Sequence, residues 1–136
     1  MALTRTVAAL VLTAPMWAAA AGVSLVDPGG APHGRASVSL TKGTVRMKIT
    51  GLPRLPAVAP LGASFEAWVY KAYLTSSGDP AVEVFLADVY PNAAGTARAK
   101  VALRGDLSAL GLDRVVVTAY SKDAREALDV LTAALQ

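Results

Sequence analysis

The 136-residue chain contains no cysteine. That excludes a disulfide framework, a thiolate metal site and a lipid-modified cysteine anchor, and leaves stability to the core alone. Histidine is nearly absent too, with His33 the only one. A histidine-ligated metal centre, or catalysis built on a histidine pair, cannot be assembled within one chain. Charge is scarce at 17% and nearly balanced, with 13 basic and 10 acidic residues. Such a balance offers no stripe for nucleic acid and no polybasic membrane segment. Glycine-rich phosphate loops, a nucleophile elbow and an acidic calcium loop are also missing. No cofactor and no tight metal site are expected.

Apolar residues are plentiful at 54%, and part of the excess lies at the amino end. Arg5, an apolar run from Val7 to Trp17 and the tract Ala18-Ala19-Ala20-Ala21 have the three parts of a secretory signal peptide. The run is interrupted by Thr13 and Pro15 and falls short of the ~20 apolar residues of a membrane span. Cleavage is expected after Ala19, Ala20 or Ala21, which divides the chain into a signal (1–21), an amino-terminal segment and loop (22–35) and a domain (36–136). Losing Arg5 would leave 12 basic against 10 acidic residues. The alternative is a retained membrane anchor. The expected address is the cell envelope, secreted or periplasmic.

Beyond this the chain alternates. Gly22 to Val26 is a candidate first strand, and Asp27 to Gly34 reads as a proline- and glycine-rich loop. Ala36–Leu40 and Val45–Thr50 place apolar residues at every second position, with Arg46 and Lys48 outward. The tight turn Thr41-Lys42-Gly43-Thr44 joins them, so they predict a β-hairpin. Prolines 53, 56 and 60 mark a crossing segment. It leads to Phe65-Glu66-Ala67-Trp68-Val69-Tyr70, which reads as a strand apolar on both faces, with Trp68 and Phe65 as core anchors. Val82–Tyr90 and Ala97–Leu103 are further strands, the latter with Arg98, Lys100 and Arg104 outward. Gly105–Gly111 reads as one helical turn set by Asp106, and Arg114–Tyr120 as a central strand covered on both faces. The tail from Lys122 to Gln136 fits either a helix or a last strand. Regular strand signals with turns between them predict an all-β fold, an antiparallel immunoglobulin-like β-sandwich of about seven strands.

The order of these pieces resembles the extracytoplasmic domain of the anti-sigma-K factor (RskA-like) proteins. The likeness is carried by Gly51-Leu52-Pro53, the aromatic-x-x-Trp strand Phe65-Glu66-Ala67-Trp68 and the Val115-Val116-Val117-Thr118 strand, and runs from about Ala36 to Tyr120. It implies a β-sandwich outside the cytoplasm. The sigma-binding domain and transmembrane helix that precede this domain in such proteins have no counterpart here, and Tyr120-Ser121-Lys122-Asp123 departs from the family's acidic residue, Pro and Gly.

Two sets of residues are candidates for function. Arg46, Lys48, Arg98, Lys100 and Arg104 share outward faces and would form a basic patch if their strands were neighbours. Its partner would be anionic: a cell-wall polymer or the acidic face of another envelope protein, with no nucleic acid, and a membrane only if the amino-terminal segment is retained. Solvation of a sheet face is the plainer use of these charges. Glu66, Glu83 and Asp88 could form an acid/base pair across strands, although nothing in their spacing selects it. His33 reads as a solvated loop residue, and Asp27, Asp79 and Asp113 as turn formers. The function expected is therefore a non-catalytic binding or structural module. The alternatives are a carboxylate-based hydrolase around Glu66 and a membrane-anchored sensor domain.

Overall fold

The alternating segments pair into one antiparallel sheet. The structure, a computed structural model, describes residues 22–121 and 125–135; the expected signal segment lies outside them. Among the described residues there are ten strands: β1 (Val23–Val26), β2 (Pro32–Ser39), β3 (Thr44–Ile49), β4 (Ala57–Val58), β5 (Glu66–Ala67), β6 (Val69–Thr75), β7 (Glu83–Val89), β8 (Ala97–Ala102), β9 (Arg114–Ser121) and β10 (Glu126–Ala134). Eight of them form a sheet in the order β7-β6-β9-β10-β1-β2-β3-β8, while β4 and β5 make a separate two-stranded ribbon. The edge strands β7 and β8 approach each other without pairing, so the large sheet curls until it is nearly closed.

The all-β antiparallel expectation is met. What differs is the layering: one curled sheet encloses the core, where the sequence suggested two sheets of an immunoglobulin-like sandwich. The candidate first strand forms: β1 bridges β10 and β2 inside the sheet. Pro32, His33 and Gly34 belong to β2; Pro32 is its first residue, the position where a missing N–H costs least. The tail resolves as a strand, with β10 paired along β9 from Glu126↔Ser121 to Ala134↔Arg114.

Alternation sends every second side chain inward. In β3, Val45, Met47 and Ile49 are buried while Thr44, Arg46 and Lys48 are exposed. Leu25, Leu74, Val115, Val117 and Leu131 join them in a single core. Strand β9 lies between β6 and β10 and is buried from Val115 to Ala119, as its unbroken β-branched run demands.

The Trp68 strand is where alternation fails. Ala67 and Tyr70 are both fully buried although three residues apart, so the pleat breaks between β5 and β6. The Trp68 amide donates to the Tyr120 carbonyl at 2.8 Å, but its side chain is 47% exposed. Trp68 is therefore not the core anchor its sequence context suggests; Tyr70 is. The Tyr70 hydroxyl donates to the Pro53 carbonyl at 2.9 Å, tying the crossing segment to the core.

Burial pushes the Tyr70 phenol up to about 12, from its ordinary value of 10.0. The folded chain thus keeps a proton that the unfolded chain releases between those values. Its contribution to stability is complete below pH 10 and is lost as pH rises towards 12. Tyr70→Phe should flatten that alkaline limb in a denaturant titration. At neutral pH it should cost about 1 kcal/mol for the lost hydrogen bond.

Candidate basic site

Strand order brings the two basic sets together. β3 lies between β2 and β8, with Arg46 opposite Lys100 and Lys48 opposite Arg98. On its other side Lys48 faces Arg35 and Arg46 faces Ser37. The outer face thus holds two rows across three strands: Arg35, Lys48 and Arg98 in one, Ser37, Arg46 and Lys100 in the other. Neighbouring strands stand ~4.8 Å apart, and the rows are separated by two residues of rise, about 7 Å.

Between the rows the strands present Met47 and Ala99, whose alternation turns their side chains inward. A groove of about 480 Å³ lies there, lined by both rows together with Met47 and Ala99. None of β1, β2, β3 or β8 carries a carboxylate. Among the described residues, no ion pair involves Arg46, Lys48, Arg98 or Lys100. Arg35 is held in place by a 2.7 Å hydrogen bond from Nη2 to the Gly22 carbonyl.

The sequence named four of these cations and missed Arg35, hidden in what looked like a loop. It also added Arg104, which lies past the end of β8 and does not line the groove. Arg35 sits two residues before Ser37 and shares its parity, the one signal that could have placed it.

The carboxylates do not converge on a similar site. Glu83 and Asp88 are at opposite ends of β7, about 17 Å apart along an extended strand. Glu66 is exposed on β5, opposite Val58. Asp88 is engaged by Lys71, at 3.1 Å, and that hydrogen bond holds the Lys71 ammonium above its ordinary value. Lys71 also lies 5.4 Å from the Phe85 ring centre and 5.8 Å from that of Tyr120. Among the described residues no group of three or more His, Cys, Asp or Glu side chains stands close enough to hold a metal ion, and no helix is long and apolar enough to cross a membrane.

His33 is not the solvated loop residue expected. Its ring is largely covered, with Nε2 2.8 Å from Asp27 Oδ2 and Nδ1 2.9 Å from the Thr50 carbonyl. Asp27 Oδ1 accepts the Gly29 and Ala31 amides, each at 2.9 Å. The hydrogen bond to His33, then those from Ala31 and Gly29, hold the Asp27 carboxyl below its ordinary 3.8. A lowered folded value means that the stabilisation is present above about pH 4 and is lost as pH falls through that value. The melting-temperature gap between wild type and Asp27→Asn should accordingly be wider at pH 6 than at pH 2. A gap that stays constant would remove the carboxylate's role in closing this loop. No known protein family, curated protein or solved structure matches the chain.

Proposed function

We propose that the protein is an exported binding module, without catalytic chemistry of its own, whose basic groove holds an anionic component of the cell envelope. The observation that carries this is the register of β2, β3 and β8, which sets cations directly opposite cations with no carboxylate between them. Like charges placed directly opposite each other across strands are destabilising, and a solubilising surface would do better with both signs interspersed. An anionic partner relieves that repulsion. The charged start, apolar run and alanine tract at the amino end support the export half of the reading, as does the likeness to anti-sigma-K outer domains; no sigma-binding role is proposed.

Retention of the protein on purified cell envelope tests it. Wild type should be retained at low ionic strength and released by salt, because exposed charges are screened over ~8 Å at physiological ionic strength. An Arg46→Ser, Lys48→Ser, Arg98→Ser variant should lose retention. It should also melt no lower than wild type, since the substitutions remove repulsion from an outward face. Equal, salt-independent retention of the two proteins would reduce the face to plain solubilising surface.

A further inference from the structure

We infer, resting on the anion-binding reading, that the groove takes a single-chain, base-free polymer of phosphate groups lying across β2, β3 and β8. The direction follows from the pleat. The two cationic rows form walls that run across the strands, from Arg35 through Lys48 to Arg98 and from Ser37 through Arg46 to Lys100. The floor is strand backbone whose amides lie in the plane of the sheet, directed at neighbouring strands or past the β8 edge, so the donors that face the groove come from the walls. With walls ~7 Å apart and steps of ~4.8 Å along them, the cleft admits one extended chain and meets its charges repeatedly.

The class of anion follows from the two-sided arrangement. A phosphate within a chain has two unesterified oxygens that splay to opposite sides, so a single group accepts from both walls. A side-chain carboxylate points both oxygens away from its carbon, towards one wall. Three of the five cations are arginines (Arg35, Arg46 and Arg98), whose forked donors match the oxygens of phosphate. Arg35, fixed by the Gly22 carbonyl, is ordered before any ligand arrives. Bases find no stacking platform here: no residue lining the groove carries a ring, and His33, the one ring on β2, is engaged by Asp27 and the Thr50 carbonyl, whereas proteins that hold single-stranded nucleic acid stack its bases on aromatic rings.

The test is titration of the full chain with linear inorganic polyphosphate, poly-glutamate of equal charge and oligo-dT, each over a range of salt. Polyphosphate should bind at least about tenfold more tightly than either competitor, with a salt slope of ~0.7 per phosphate neutralised. The Arg46→Ser, Lys48→Ser, Arg98→Ser variant, confirmed folded by its melting curve, should lose about 2 from that slope. An Arg46→Lys, Arg98→Lys variant keeps the charge and removes two forks; its slope should hold while polyphosphate affinity falls several-fold. Equal binding of polyphosphate and poly-glutamate, both weakened in the serine variant, would overturn the phosphate assignment and leave the anion-binding reading standing. Tightest binding of oligo-dT would overturn the base-free assignment. Binding of all three that the serine variant leaves unchanged, or no binding at all, would bring down both.

Discussion

Tyr70→Ala should cost about 3–5 kcal/mol, while Trp68→Ala, two residues away, should cost about 1 kcal/mol. Tyr70 heads the largest fully buried side chains, whereas Trp68 is 47% exposed. Removing the Tyr70 ring leaves a cavity beside Ala119, its partner on β9, and Ala72 on the same face of β6, both buried and too small to fill it. It also strands the Pro53 carbonyl, which accepts the Tyr70 hydroxyl, so the crossing segment loses its tie to the barrel. Trp68 is held through its backbone: its amide bonds to Tyr120 whatever the side chain. Chemical denaturation of the two variants measures the contrast directly. Equal losses, or a larger loss at Trp68, would show that the indole is a core group after all. Fluorescence gives a second readout, in which Trp68 should emit as a solvent-exposed indole in the folded protein.

Why the sequence pointed to Trp68 is instructive. Alternation is legible wherever a strand stays continuous and has one wet face, as in β2, β3 and β8, and there the polarity of the residues marks the direction of each side chain. In Phe65–Tyr70 Glu66 is the one charged residue, and by parity it sets Trp68 on its own exposed side; the size of the indole outweighed that single signal. The break between Ala67 and Val69 then shifted the phase by one residue. The same logic explains β9. Its continuous Val115-Val116-Val117 run says only that both faces are covered, and both are.

Strand order was not legible, because it depends on which edges meet across long separations. Nothing local in Arg46 or Lys100 tells that they lie opposite each other. The pairing of β3 with β8 joins residues as far apart in the chain as Thr44 and Ala102, and the strand that links the β2–β3 hairpin to β10, β1, is only four residues long. The members of the basic site could thus be read from period-two patterning, whereas their convergence could not. Arg35 was lost for a related reason: Pro32 and Gly34 mark a loop by composition, yet both sit in β2.

Gly34→Ala should be among the most damaging single substitutions outside the core, costing at least about 3 kcal/mol. Two effects combine. Gly34 has φ +117°, which lies in the region that side chains disfavour, and the milder left-handed helical conformation already costs ~1–2 kcal/mol. In addition, a Cβ there would overlap the carbonyl oxygen of Lys48 and approach Ile49 Cα to 2.9 Å. These are backbone atoms of β3, so no side chain can swing aside. Gly34 pairs with Ile49, and relief requires β2 to lift from β3 at the step beside Arg35 and Lys48. The substitution should therefore lower the denaturation midpoint and weaken anion binding together, unlike the serine variants, which should weaken binding alone. Gly30→Ala is the control: its φ is +87° but no atom lies within 4 Å of the added carbon. That change should cost only the conformational part, ~1–2 kcal/mol, and leave the groove intact. Equal midpoints for the two alanine variants would mean that β2 and β3 do not approach this closely at Gly34, and that the row from Arg35 through Lys48 to Arg98 is not held as described.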